Sequence, residues 1–322
     1  MPLYDLPLDQ LRTYVSSTQP PEDVDTFWAE RLAGARKLTE KPSVERVDSG
    51  LSRVTTEDVW FSGAHGHRIG AWYHRPAGVE GPLPVVVNYQ GYGRGRGLSH
   101  EIPLWVNAGY ACLEVDTRGQ GAGYGVGDTP DPVGSGPAAP GYLTRGLESP
   151  ENHYYTRVFT DAALAVDAVA HLPQADPDRV VTCGASQGGG ISIAAASLHD
   201  GVLGAMVDVA FMCDVWRAAQ MTDINPYAEL GRYLAAHRDK AEQAFTTLSY
   251  VDAAVLASRG RVPALFSVAL MDPVCPPSTV YAAYQAWGGP KEIVEYPWNG
   301  HEGGGPFHER EQLRWLADLF AA

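Results

Sequence analysis

Cysteine is sparse in this 322-residue chain, and the four present, Cys112, Cys183, Cys213 and Cys275, lie far apart with no C-x-x-C pair. That spacing gives no sign of a disulfide framework or a thiolate metal cage. Cys112 and Cys183 sit in apolar runs, so reduced, buried thiols are expected. Positive charge is scarce too: 24 Lys and Arg face 38 Asp and Glu, a formal net charge of −14. A nucleic-acid binder needs a basic face that can release counterions, and this balance argues against one. No segment approaches the roughly 20 apolar residues of a membrane span. The N-terminus lacks the basic and apolar regions of a signal peptide. The expectation is a soluble, cytoplasmic protein with neither a membrane nor a nucleic acid as partner.

Two cofactor signatures are missing as well. No G-x-G-x-x-G opens a helix with an acid about 20 residues further on, as dinucleotide binding requires. The pair His301-Glu302 has its next histidine seven residues on from His301, at His308, not at the helical spacing of a zinc H-E-x-x-H site. His65 and His67 have no acid or cysteine cluster beside them and suit a turn tip. No internal repeat breaks the chain into units.

What the chain does have is 45% hydrophobic content, enough to bury a large core in one α/β domain. Short apolar or β-branched runs at Pro84–Tyr89, Ala111–Val115, Val180–Cys183, Ala205–Val209 and Val262–Ala269 alternate with helix-length segments. Runs of this kind, without strict alternation, read as strands buried on both faces of a mostly parallel sheet. Val54–Phe61 and Ile69–His74 read as an antiparallel hairpin at the leading edge. A last strand, Glu292–Tyr296, precedes a closing helix, Glu309–Phe320. Residues 1–45 read as an N-terminal helical extension, residues 211–259 as a helical cap, and 119–146 as a Gly/Pro-rich loop too long for an ordinary connection.

The most informative segment is Gly184-Ala185-Ser186-Gln187-Gly188. It follows the run Arg179–Cys183 and opens an Ala-rich helical stretch, Ile191–Leu198. Strand, sharp turn and helix around G-x-S-x-G describe a nucleophile elbow, although a serine helix cap would use the same residue type. A serine hydroxyl needs a histidine to take its proton and an acid to orient that histidine. Asp272 follows a core strand and is the candidate acid, with Asp208 and Asp214 as rivals. His301 lies between the last strand and last helix and is the candidate base, with His308 as competitor. Oxyanion donors are expected at the N–H of Gln187 and, from the loop after Pro84–Tyr89, at the N–H of Tyr92. Tyr92, Phe211, Met212 and Trp216 are candidate walls of a substrate pocket.

Taken together, Gln90-Gly91-Tyr92-Gly93, Arg118-Gly119-Gln120-Gly121, the Ser186 elbow through Gly190, Asp272–Thr279, His301–Gly304, Tyr142–Gly146 and Tyr154–Asp161 resemble the acetyl xylan esterase and cephalosporin C deacetylase family of carbohydrate esterases. The resemblance spans nearly the whole chain; Pro273 stands where relatives often carry an acidic or amide residue. It implies an α/β-hydrolase with Ser186, Asp272 and His301 as triad and Tyr92 and Gln187 as oxyanion donors. It also implies a homo-hexamer whose sites face an internal cavity that admits short acetylated sugars and small esters; the serine–histidine chemistry itself needs no metal or organic cofactor. Arg118 reads as structural, pinning turns of the Gly-rich loop, with a substrate contact as the alternative. Competing readings are a broad short-chain carboxylesterase, a serine peptidase, which would need a further domain, and a silent hydrolase-fold binding protein, which would lack a triad member.

Overall fold

The computed structural model describes residues 3–321. Among them, nine strands make one sheet: β1 (Ser43–Val47), β2 (Val54–Ser62), β3 (Arg68–Pro76), β4 (Leu83–Tyr89), β5 (Ala111–Val115), β6 (Ala175–Ala185), β7 (Gly204–Asp208), β8 (Ala264–Ala269) and β9 (Lys291–Tyr296), in the order β1-β2-β3-β5-β4-β6-β7-β8-β9. The pairings from β1 to β3, and of β3 with β5, are antiparallel; the remainder are parallel. The sheet is thus mostly parallel, as the unalternating apolar runs imply. Val85, Val86 and Val87 of β4 are all 0% exposed, because helices cover both faces.

The helices are α1 (Leu8–Leu11), α2 (Val24–Arg36), α3 (Leu104–Asn107), α4 (Tyr154–Val169), α5 (Gln187–Leu198), α6 (Val215–Met221), α7 (Tyr227–Ala236), α8 (Ala241–Ser249), α9 (Ala253–Ala257), α10 (Pro277–Ala286) and α11 (Gly305–Ala321). The two-residue period of the strands sorts side chains between two cores. Val86, Cys112, Val181 and Met206 meet Trp105 of α3 and Leu316 of α11 on one face. Val85, Val87, Leu113, Val180 and Val207 meet α4, α5 and α9 on the other.

One boundary differs from the sequence reading. The segment 1–45 holds α1 and α2 but runs into β1 at Ser43, so β1 and not the β2–β3 hairpin is the sheet edge. Its sequence, Ser-Val-Glu-Arg-Val, is short and charged, as suits an edge strand that must not recruit another chain. The apolar face of α2 packs as read: Phe27, Trp28 and Leu32 are buried, and the Trp28 indole donates to the Tyr250 carbonyl at 2.9 Å.

The chain leaves β4 toward β5 on one side and then returns to β6 on the other, which makes the carboxyl ends of β4 and β6 a topological switch point. Over that point the loop after β4 and the Gly/Pro-rich stretch 119–146 pack backbone against backbone. Gly93 and Gly123 are joined by an N–H to carbonyl bond of 2.9 Å. A Cβ on Gly95 would overlap the Gly127 main chain, so the glycines are needed for contact rather than for flexibility. Helices α6 to α9 occupy the connection from β7 to β8, and α9 packs on α5 and α10 in the main layer.

Candidate active site

Ser186 sits between β6 and α5 with φ 57° and ψ −119°, a backbone conformation that costs about 1–3 kcal/mol and persists only where surroundings hold it. They do so on several sides. The Ser186 N–H donates to the Asp208 carbonyl at 2.9 Å, and its own carbonyl accepts from Phe211 N–H at 2.9 Å. A Cβ on Gly184 would overlap the Gly188 backbone, and one on Gly188 would overlap the Tyr89 carbonyl. The two glycines of G-x-S-x-G are therefore dictated by how closely the helix returns to the strands.

From this elbow a relay runs through two loops. Ser186 Oγ lies 2.9 Å from His301 Nε2, and His301 Nδ1 lies 2.8 Å from Asp272 Oδ2. Asp272 is 0% exposed, and its other oxygen accepts the N–H groups of Val274 at 2.8 Å and Cys275 at 3.0 Å. With the carboxylate an acceptor, Nδ1 of His301 carries the proton and Nε2 is free to accept one from serine. In the same loop the Pro273 carbonyl accepts the Thr222 hydroxyl at 2.6 Å. Asp272, Cys275 and His301 also bring ligand-type atoms within 4.8 Å of one another, but both Asp272 oxygens are committed to this relay. Burial pushes the Cys275 thiol up, with the Asp272 charge adding to it, so it stays protonated and poorly suited to a metal.

The rival residues are brought together elsewhere. His308 Nε2 lies 2.9 Å from Asp208 Oδ1, at ion-pair distance but outside hydrogen-bonding alignment, and its Nδ1 meets the Tyr296 hydroxyl at 3.0 Å. Asp208 also accepts from Gln312 at 2.8 Å and Ser267 at 3.1 Å. Asp214 accepts the hydroxyls of Tyr14 and Thr18. None of these reaches Ser186 Oγ. His65 and His67 lie on the turn joining β2 and β3, with His67 Nδ1 at 3.2 Å from the Arg118 guanidinium.

Gln187 is the first residue of α5, where the N–H groups have no intrahelical partner and the helix presents its positive end. Tyr92 follows β4 on the neighbouring strand. Behind both stands Gln120 of the Arg-Gly-Gln-Gly segment, a residue for which the motif by itself indicates no role. Its Oε1 accepts the Gly93 N–H at 2.7 Å, and its Nε2 donates to Gln187 Oε1 at 2.9 Å and to the Tyr154 hydroxyl at 3.0 Å. The Tyr155 hydroxyl donates to Gln187 Oε1 as well, at 2.8 Å. A fully bonded polar network in low dielectric is rigid, and this one fixes the two loops relative to each other. Arg118 has a structural setting: fully buried, it forks onto Asp161 at 2.6 and 2.7 Å and approaches Asp131 at 3.4 Å.

The expected pocket walls need correction. Ser186 and His301 open onto a cleft of about 610 Å³ whose wall includes Gln90, Trp105, Tyr124 and Glu302. Phe211 and Met212 are 0% and 1% exposed and belong to the core. Trp216 is 48% exposed but lines a separate apolar cavity with Val215, Phe245 and Leu248. The Tyr92 phenol points away from the cleft to Glu229 Oε1, at 2.6 Å, so only its backbone N–H remains a candidate. The physical cause is the backbone after β7, where Val209, Met212 and Asp214 all have positive φ, 38°, 63° and 45°. Those turns swing Phe211 and Met212 inward. Nothing in the side-chain sequence announces them, since none of the three residues is glycine.

The model of the acetyl xylan esterase family (AXE1) matches residues 1–319. The solved acetyl xylan esterase from Paenibacillus sp. R4 superposes with a TM-score of 0.91 at 35% identity, covering 97% of this chain and 99% of that one. Acetyl xylan esterase 1 from Thermoanaerobacterium sp. JW/SL YS485 gives 0.91 at 33% identity, covering 98% and 100%. Acetyl esterase Axe7A of Xylanibacter ruminicola is 27% identical over 299 residues, 88% of this chain but 64% of its own length. With the elbow, relay and sheet order in place, the chain belongs to the acetyl xylan esterase family of carboxylic ester hydrolases and has the α/β-hydrolase fold.

Proposed function

We propose that this protein is a serine esterase that removes acetyl groups from acetylated xylo-oligosaccharides and small acetyl esters such as cephalosporin C. The observation that carries this reading is the continuous Ser186–His301–Asp272 relay, with steps of 2.9 and 2.8 Å, at the mouth of a cleft. His301 Nε2 takes the Ser186 proton as Oγ attacks the acetyl carbonyl. The negative charge that develops on the carbonyl oxygen is received by the N–H groups of Tyr92 and Gln187. His301 then gives its proton to the departing sugar oxygen. Water, deprotonated by the same imidazole, attacks the acetyl-enzyme; acetate leaves and Ser186 Oγ regains its proton. The reaction needs no further cofactor.

The homo-hexamer and the cytoplasm complete this reading. Four free, buried cysteines fit a reducing compartment, and no helix among the described residues is long and apolar enough to cross a membrane. The test is acetate release from acetylated xylo-oligosaccharides, cephalosporin C and p-nitrophenyl esters of increasing acyl length, by wild type and Ser186→Ala. Turnover confined to acetyl esters and dependent on Ser186 is expected. A preference for longer acyl chains would replace it with a broad carboxylesterase; full activity in Ser186→Ala would refute it.

A further inference from the structure

Glu229 lies in the first turn of α7, in the connection between β7 and β8, far along the chain from every residue of the relay. It is 1% exposed, and both carboxylate oxygens are occupied. Oε1 accepts the Tyr92 hydroxyl at 2.6 Å; Oε2 accepts the N–H groups of Tyr142 and Leu143, each at 3.0 Å. The Tyr142 N–H is shared with the Tyr92 hydroxyl, at 2.6 Å. No Lys or Arg among the described residues forms an ion pair with Glu229, so neutral donors alone hold a buried carboxylate. That is an expensive arrangement unless the geometry it enforces is used. The neighbouring loop is shaped to it: Gly141 has φ +126°, and a Cβ there would overlap the Glu229 carboxyl group.

What Glu229 holds is Tyr92, whose N–H is the oxyanion donor of the mechanism proposed above. The Tyr92 side chain is fixed at its tip by Glu229 and along its ring by Tyr142 and Phe211, at centroid distances of 5.2 and 6.0 Å. The peptide on its C-terminal side is fixed by Gln120 through the Gly93 N–H. The peptide that carries the Tyr92 N–H is held as well, its Gly91 carbonyl accepting from the Arg94 N–H at 3.1 Å, so little torsional freedom is left at Tyr92. We propose that Glu229 is a positioning residue that sets the Tyr92 N–H toward the developing oxyanion and ties the α7 helix and the 141–143 turn to that task. This rests on the serine-esterase reading above.

The same carboxylate therefore couples three segments distant in sequence. Loss of the acceptor at Oε1 frees the Tyr92 hydroxyl, and loss of the acceptor at Oε2 frees the turn that packs on the Tyr92 ring, in neither case touching Ser186, His301 or Asp272. Misplacing one donor by about 1 Å costs on the order of a hundredfold in rate.

The test compares Glu229→Gln, Tyr92→Phe and the double variant. Glu229→Gln keeps the shape but points an amide N–H₂ at Tyr92 or at the turn; Tyr92→Phe removes only the hydroxyl and covers the case in which Glu229→Gln fails to fold. Expected are kcat values for p-nitrophenyl acetate lowered about ten- to hundredfold with KM within about twofold. The double variant should be no slower than the slower single, since one tether is cut either way. Hydrogen exchange at the Tyr92, Tyr142 and Leu143 amides should accelerate in Glu229→Gln, a readout independent of which residue is the nucleophile. Unchanged exchange, or faster exchange with kcat within twofold of wild type, would overturn the proposal, as would multiplicative losses in the double variant. Retained turnover in Ser186→Ala would instead sink the reading of the site itself, and is distinguished by leaving the exchange result intact.

Discussion

Two histidine–carboxylate pairs lie seven residues apart around the start of α11, and they differ in everything except composition. His301 meets Asp272 at 2.8 Å with its side chain 31% exposed, while His308 meets Asp208 at 2.9 Å with its side chain 3% exposed. His301 turns its other nitrogen to a strained serine at the cleft mouth; His308 turns its other nitrogen to the Tyr296 hydroxyl. The carboxylates differ in the same sense. Asp272 is fixed by two backbone N–H groups, leaving one oxygen for one imidazole, whereas Asp208 spreads its oxygens over Gln312, Ser267 and His308. A pair becomes a relay when its third partner can react and its far side can be reached by substrate. Otherwise it is a clamp, here between α11 and the ends of β7 and β8.

The comparison breaks most sharply when each histidine is removed in turn. His301→Ala should lower kcat/KM for p-nitrophenyl acetate by on the order of 10⁴-fold or more. His308→Ala should keep it within about tenfold while lowering the melting temperature, because it empties a buried site in α11. Near-equal losses in activity would mean that the two pairs are not functionally distinct. Asp272→Asn sharpens the point: an amide no longer selects the Nδ1–H tautomer, and a loss approaching 10⁴-fold in kcat is expected. Asp208→Asn, measured in the same assay, should fall far short of that.

A smaller effect concerns a third buried carboxylate. Asp252 accepts the N–H groups of Asp214, Val215 and Ala254, yet burial pushes its pKa up to about 7, with the nearby Asp214 charge adding to the rise. The folded protein thus keeps the Asp252 proton between about pH 4 and 7, where the unfolded chain has lost it. Folded protein binds more protons there, so stability falls as pH rises through this window. The cost is on the order of 4 kcal/mol at 1.36 kcal/mol per pKa unit. Denaturant unfolding between pH 4 and 8 should show wild type losing stability with a slope steeper by up to one proton than Asp252→Asn. Parallel curves would remove the argument, even if the variant is less stable throughout.

How legible all this was depends on the range of the forces involved. The parallel strands could be read because burial on both faces leaves continuous apolar runs in the sequence itself. β1 gives little signal because five residues at an edge, two apolar, two charged and one serine, carry little period. Ser186, Asp272 and His301 each follow the carboxyl end of a strand, β6, β8 and β9, a placement that apolar runs mark in the sequence but that leaves Asp208, Asp214 and His308 in contention. Asp208 and His308 were plausible rivals because their mutual contact exists only after the sheet is assembled. Glu229 gave no local signal, since a glutamate in a helical pattern reads as a solvated face until α7 is packed over the Tyr92 loop. The walls of the cleft escape the sequence for the same kind of reason. Left-handed turns at Val209, Met212 and Asp214 decide where Phe211 points, and tertiary bonds impose them.

Under the proposed mechanism, Ser186 carries the acetyl group between two half-reactions. Rapid quenching of the enzyme with an excess of p-nitrophenyl acetate, followed by peptide mass analysis, tests it directly. A transient acetyl group is expected on the peptide containing Ser186, formed with a burst of p-nitrophenol and absent from Ser186→Ala. Acetylation of another residue, or full turnover by Ser186→Ala with no burst, would contradict it.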